Sequence, residues 1–401
     1  MNKKAEKFNI ICLSNQVWDF PLRTNKRHVM ERIGKMFHNV LFVDPPINTG
    51  RLFLRHILQG RWSIKRLITQ VYKDSEVSIF SPLNPHPGYK KLAYKHSERI
   101  NRVASRLFSK DKKTILWVYH VELPFLEIYL KEIKHDFLVY DCVDNYEAFP
   151  KYDTEEKRKW VAGQEKLLAE RANIVFTTAP NLFEKLKKFN PNTHYTPNVG
   201  DYDRFADIRN SSTRVPSDLK GLKKPIVMFT GAVDEYKFDK NLVKKVASDY
   251  PSYSFVIIGP NALKDKDTTK KALGFEGYEN VYFLGRKEYT DLPKYISKAD
   301  VLMIPYQLND YTVGGCFPVK FHNYLSSGLP VVVTDLPAYA PFSDVCYISK
   351  DYNEFSRNIR KALEEDSDDL AKKREKVASQ NTWDQKVNKM LSLIRDTIKR
   401  I

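Results

Sequence analysis

Gly314-Gly315-Cys316-Phe317-Pro318-Val319-Lys320-Phe321-His322-Asn323-Tyr324-Leu325-Ser326-Ser327-Gly328-Leu329-Pro330-Val331-Val332-Val333-Thr334 reads as a glycine-pair loop, a proline at a first helical position, and a short helix. Gly328 stops that helix and Pro330 starts a β-branched strand. Proline before and glycine after is the polarity a helix prefers, because proline gives up an N–H that is unpaired there anyway. A glycine pair ahead of a helix N-terminus offers close backbone approach, N–H groups and a positive dipole end, which suits a diphosphate. The same pattern also serves as an ordinary loop–helix–strand unit of an α/β domain.

The flanking sequence supplies that domain. Ile226-Val227-Met228-Phe229-Thr230-Gly231, Ser254 to Pro260, Val281 to Gly285 and Val301 to Pro305 are apolar runs ending in Gly or Pro. Asn241 to Tyr250 and Leu292 to Lys298 have helical spacing. Strands alternating with helices predict a parallel sheet covered on both faces. The first half has the same order: strands at Phe8 to Leu13, Val40 to Val43, Thr114 to Tyr119, Phe137 to Asp144 and Ile174 to Thr178, with helices over His28 to Phe37, Pro87 to Lys113, Leu123 to Lys134 and Thr154 to Ala172. The expected domains are 1–205, a polar linker 206–224, 225–375, and a C-terminal helix 376–401 anchored by Trp383.

A chain of 401 residues with 42% apolar residues has ample core for two domains and excludes global disorder. Its net charge of +17 favours anionic partners such as nucleotides, phosphates or acidic lipid. Arg51 to Lys73 holds six Lys/Arg and no acid among many apolar residues, which fits an interfacial segment on an anionic membrane or a surface helix pair over the sheet. No apolar run is long enough to span a bilayer. Cys12, Cys142, Cys316 and Cys346 are scattered, with no C-x-x-C, and read as reduced thiols of a cytoplasmic protein. Trp18, Arg23, Asn25, Lys26 and Arg27 follow the first strand at a carboxyl end, where open sheets place ligands. His120 and Asp144 end neighbouring strands and are the candidates for orienting or moving a proton.

Several blocks together resemble glycosyltransferase family 4, the group 1 glycosyl transferases, and within it teichuronic-acid-type biosynthesis enzymes. Pro197-Asn198-Val199-Gly200-Asp201-Tyr202-Asp203-Arg204-Phe205 is similar to that family's Asn-Gly-Val-Asp-x-x-x-Phe signature, with Gly and Val exchanged. Asn280 to Arg286, Ala299 to Pro305 and Phe317 to Val333 resemble its donor-binding blocks. The resemblance implies a GT-B fold: two Rossmann-like parallel-sheet domains facing a central cleft, with C-terminal helices returning toward the first. It also implies a retaining, metal-independent hexosyl transfer from a nucleotide sugar, a UDP-sugar by expectation. The acceptor would be lipid-linked or a cell-surface polysaccharide, at the inner face of the cytoplasmic membrane.

No further cofactor and no nucleic acid are expected. Donor contacts would fall on Gly231, Lys237, Arg286, Lys287, Thr312, Gly314, Gly315, Val319, Lys320 and Asn323, with His120 and Asp144 as catalytic groups. The chain departs from the family where glutamates are usual: Gly315 and Asn323 stand there. Two other readings fit the scaffold, a nucleotide-sugar epimerase and a non-catalytic nucleotide-sugar-binding assembly protein.

Overall fold

The computed structural model describes all residues except 1–5, 21, 37, 46, 49–69, 85–88, 210–212 and 261–269. The chain divides into two compact units, one of Met1–Thr196 with Val387–Ile401 and one of Pro197–Lys386. Most of the basic apolar segment 51–73 lies outside the described residues.

The first unit runs β1 (Asn9–Leu13), α1 (Asn25–Lys35), β2 (Asn39–Val43), β3 (Ile47–Asn48), β4 (Val71–Asp74), β5 (Val77–Phe80), β6 (Leu83–Asn84) and α2 (Lys90–Leu107). It continues with β7 (Thr114–Val118), α3 (Leu126–Glu132), β8 (Phe137–Cys142), α4 (Glu155–Arg171), β9 (Ile174–Thr177), α5 (Pro180–Leu186) and β10 (Thr193–Tyr195). Eight strands form one sheet in the order β10-β9-β8-β7-β1-β2-β5-β4, parallel except for the β4–β5 hairpin. That antiparallel edge is the main departure from the predicted pattern. Both strands are only four residues long and β4 is partly exposed, so the hairpin lacks the continuous apolar run that announces an interior parallel strand.

The second unit contains α6 (Tyr202–Phe205), β11 (Ile226–Thr230), α7 (Lys240–Asp249), β12 (Ser254–Ile258), β13 (Val281–Gly285), α8 (Leu292–Ile296) and β14 (Val301–Ile304). After these come α9 (Asp310–Gly315), α10 (Lys320–Ser326), β15 (Val331–Thr334), β16 (Tyr347–Ser349), α11 (Tyr352–Glu364) and α12 (Asp368–Ser379), and then α13 (Trp383–Ile398), which belongs to the first unit from Val387 onward. Its six strands are all parallel, in the order β13-β12-β11-β14-β15-β16. The central strands β11, β12, β14 and β15 are buried throughout, as two helix-covered faces require. Trp383 is fully buried, and residues from Val387 onward pack with the first unit, where the Arg395 guanidinium donates to the Glu6 carbonyl at 3.2 Å.

The strand orders locate a crevice in each unit. In the first, the chain builds outward from β1 through β2 and β5, then crosses back to β7. In the second it builds from β11 to β13, then crosses back to β14. Loops leave in opposite directions at β1/β7 and at β11/β14, so their carboxyl ends open into ligand-sized crevices.

Asp44, at the carboxyl end of β2, is buried. It accepts the Trp18 N–H at 2.7 Å and the Ser81 hydroxyl. Burial pushes its carboxyl up from 3.8 to about 7, against the pull of those hydrogen bonds. The folded chain therefore keeps a proton that the unfolded chain releases. The stability this gives is complete below the unfolded value and is lost as pH rises through about 7. Asp44→Asn keeps comparable hydrogen bonding and cannot ionise. In urea melts its advantage over wild type should grow between about pH 4 and pH 7.5, by on the order of 4 kcal/mol at most. Parallel pH profiles for the two proteins would show that Asp44 does not titrate in that window.

Candidate functional site

Lys320 lies in the crevice between β11 and β14. Lys320 opens α10, and its ammonium donates to the Tyr306 hydroxyl at 3.0 Å. The ammonium also lies over the Phe229 ring at 4.1 Å and the Tyr306 ring at 4.9 Å. Phe229 ends β11 and Tyr306 follows β14, so Lys320 bridges the two strands where they part. It also sits against Gly231, where an added Cβ would come within 2.1 Å of the Lys320 nitrogen. Gly231 has φ +149, a conformation side chains resist, and that backbone angle is what calls for glycine there. Burial drives the Lys320 pKa from 10.5 down to about 7, and neighbouring Lys237 adds to the effect.

Helix α10 is fixed from the other side by the turn Pro197–Phe205. Asn198 Nδ2 donates to the Phe317 carbonyl at 2.8 Å, and the Asp201 N–H donates to Asn323 Oδ1 at 2.8 Å. A Cβ on Gly200 would meet the His322 backbone at 2.9 Å, so glycine lets the turn lie flush on the helix. Phe205 is buried edge-on against Tyr289. At the helix end facing the sheet, the Tyr324 hydroxyl accepts the Thr230 N–H at 2.7 Å. The turn belongs to the second unit because its polar groups find their partners on α10.

The remaining expected donor contacts divide into available and committed groups. Gly314 and Gly315 close α9 and do not form an open loop, so the helix draws in their N–H groups. The cause is a capping box: Asn309 Oδ1 accepts the Thr312 N–H at 3.0 Å while Thr312 Oγ1 accepts the Asn309 N–H at 3.1 Å. Thr312 is buried, and its hydroxyl donates to the Gln307 carbonyl at 2.5 Å. Val319 precedes α10, which begins two residues after Pro318. Lys237 pairs with Asp234 at 2.7 Å. Burial opposes its charge, but Tyr306 and Asp234 raise its pKa overall. Lys287 is turned to Asp218 at 2.5 Å, which together with Tyr295 raises its pKa despite the opposing effect of burial. Arg286 is exposed and reaches Glu288 at 3.2 Å.

In the first unit, His120 and Asp144 follow the adjacent strands β7 and β8, on one carboxyl edge. Burial lowers the His120 pKa to about 4, with Glu122 opposing and Lys151 and Lys26 assisting, so the ring is neutral at pH 7. His120 Nδ1 is buried without a hydrogen-bond partner. Lys26 is a group the sequence placed only among loop candidates. It is buried near the β1/β7 crevice, with its ammonium 5.7 Å from the Tyr119 ring centre and 3.4 Å from Gln16 Oε1. Burial lowers its pKa, while Asp144 and Asp141 counteract the shift. The other loop candidates are structural. Trp18 is buried and donates to Asp74 at 2.8 Å, Arg27 stacks over Trp18 at 5.0 Å, and Arg23 pairs with Glu31. Among the described residues no cluster of His, Cys, Asp or Glu could hold a metal ion, and no helix is long and apolar enough to cross a membrane.

Residues 213–382, which include β11 to β16 and α10, match the family described as glycosyl transferases group 1. That match covers less than half of the chain and lies within its second unit. It is 25% identical over 288 residues to the putative teichuronic acid biosynthesis glycosyltransferase TuaH of Bacillus subtilis (strain 168), spanning 69% of this chain and 70% of that one. The fold is GT-B. A sucrose-phosphate synthase from Thermosynechococcus elongatus superposes with TM-score 0.73 at 16% identity, covering 98% of this chain and all of that one. Anabaena HepE, solved with UDP-glucose, superposes with TM-score 0.66 at 16% identity and the same coverage.

Within the matched residues, the Asn323 amide oxygen accepts the Asp201 N–H. Asn323→Ala should therefore destabilise the protein by about 1–2 kcal/mol in denaturant melts, the cost of a partly buried N–H left unpaired. An unchanged midpoint would detach Asn323 from the turn. Lys320 has the opposite signature. Its folded pKa is depressed, so its cost to stability is full below about 7 and disappears as pH rises toward the ordinary value of 10.5. Lys320→Met should melt above wild type at about pH 6 and converge with it near pH 10. A difference that stays constant with pH would show that the amine is not held neutral by the fold.

Proposed function

We propose that the protein transfers a hexosyl group from a UDP-sugar to a lipid-linked or polysaccharide acceptor of the cell envelope, without a metal ion. The observation that carries the reading is the Lys320 ammonium held over Gly231 between the ends of β11 and β14. A diphosphate arriving in that crevice meets an amine with a pKa near 7 and raises it, so the proton is drawn onto nitrogen when the anion binds. As the glycosidic bond breaks, negative charge grows on the leaving diphosphate. A desolvated ammonium stabilises it more strongly than an exposed one would. Lys237 supplies a second cation, and Gly314, Gly315 and Val319 leave the approach free of bulky side chains.

His120 and Asp144 are the proposed catalytic groups: a neutral His120 orients the sugar, and Asp144 receives the proton of the incoming hydroxyl. Retention of configuration, as the family resemblance implies, requires that this hydroxyl attack from the face the diphosphate leaves. UDP as the nucleotide is supported by relatives solved with UDP and UDP-glucose. TuaH, by its description, supports a cell-envelope polymer as the acceptor. The six basic residues of 51–73 would hold the enzyme at the anionic inner face of the cytoplasmic membrane.

Calorimetric titration with UDP tests the donor half. Affinity should fall as pH rises from about 6 to 9, because Lys320 loses its proton across that range. Lys320→Met should weaken binding by about tenfold or more, and Lys320→Arg should bind with a flatter pH profile. Mass-detected transfer from a panel of UDP-sugars to membrane-extracted lipid acceptors tests the rest. UDP binding without transfer or donor hydrolysis would leave an assembly protein. Isomerisation of the donor without acceptor would indicate an epimerase.

A further inference from the structure

The second unit has a cavity of about 660 Å³ that the donor chemistry does not use. It opens at the carboxyl ends of β14, β15 and β16, lined by Tyr306, Gln307 and Leu308 after β14, Thr334 ending β15, and the stretch Ser349 to Asn353. The starts of α7 and α11 complete it. Tyr306 is the residue it shares with the Lys320 group. Thr334 lies two strands beyond β11, roughly 10 Å at the usual strand spacing.

The walls define what the cavity can hold. Thr334 is 6% exposed, and its hydroxyl is buried with no hydrogen-bond partner, a deficit that a ligand oxygen would repair. Tyr352, also in the lining, is 41% exposed, yet its ring is anchored because its hydroxyl donates to Asp239 at 2.7 Å. Leu308, 46% exposed, adds a second accessible apolar side chain to the lining. An anion is disfavoured. Both helix starts are already capped by carboxylates, Asp239 accepting the Asn241 and Leu242 N–H groups and Asp351 accepting that of Glu354. The two lining lysines, Lys240 and Lys350, are balanced by those two aspartates. An uncharged ligand with one apolar face and a periphery of hydroxyls fits this combination. That is the form of a pyranose ring, and the volume falls in the range of small-molecule sites.

We propose that this cavity is a saccharide subsite, which holds neutral sugar units of the acceptor or product glycan with one ring face on Tyr352 and a hydroxyl on Thr334. The assignment rests on the glycosyltransferase reading for its biological role, but binding can be measured separately.

The test is titration of the full-length protein, without nucleotide, with glucose- and N-acetylglucosamine-based trisaccharides at about 10 mM, enough to reveal a dissociation constant near 1 mM. UDP affinity is measured in parallel for every variant. Thr334→Val should weaken saccharide binding by about fivefold and Tyr352→Ala by about tenfold, each with UDP affinity within about twofold of wild type. Thr334→Val removes only an unpaired buried hydroxyl, so it should not impair folding. Absence of saccharide binding while UDP still binds would overturn the subsite and leave the donor reading intact. So would saccharide affinity unchanged in both variants. Saccharide binding sensitive to both variants in a protein that does not bind UDP would uphold the subsite and strike at the donor reading.

Discussion

Three neighbouring side chains of α10 tie together the carboxyl edge of the second sheet. Lys320 reaches Tyr306 after β14, Asn323 receives the Asp201 N–H, and Tyr324 receives the Thr230 N–H at the end of β11. A seven-residue helix is too short to be stable by itself, so its position comes entirely from such contacts and from the buried Phe321, Tyr324 and Leu325 beneath it. What these contacts fix is where one ammonium sits. The strand order opens a crevice at β11/β14, and α10 places a cation in it.

That placement works against stability. Burial drives Lys320 toward its neutral form, and the fold tolerates this by offering a phenol and two aromatic faces in place of a carboxylate. A carboxylate partner would stabilise the protein more and would neutralise the charge a leaving group needs. Lys237 illustrates the contrast: it has Asp234, and its charge is secured. Lys26 near the β1/β7 crevice resembles Lys320 in that desolvation lowers its pKa, but Asp141 and Asp144 partly compensate it. The two sheets thus each hold a desolvated lysine close to their crossover, one buried and one half-buried.

The family-like turn Pro197–Phe205 has a mechanical explanation. Gly200 is there because the turn must lie within contact of the α10 backbone, and Asn198 because its Nδ2 donates to the Phe317 carbonyl; at 201 it is the backbone N–H that donates to Asn323 Oδ1. Asn323 completes a hydrogen bond to the chain itself, so its lack of a carboxylate does not leave the helix unsupported.

The two parallel sheets were legible in the sequence because strands buried on both faces are continuous apolar runs, and Gly or Pro marks their ends. The helix Lys320–Ser326 was legible because Pro318 and Gly328 bracket it. His120 and Asp144 could be placed on one edge because they follow consecutive strands. The short β4–β5 edge, the helical state of Gly314-Gly315 and the commitments of Thr312, Lys287 and Asn323 were not legible. Each depends on a partner distant in the chain or on a competing local hydrogen bond, and residue type carries no record of either. Residue order determined which strands exist and which cations are available. Only the tertiary structure decided which cation is left without a carboxylate, because pairing depends on which side chains the strand crossover brings within a few ångströms.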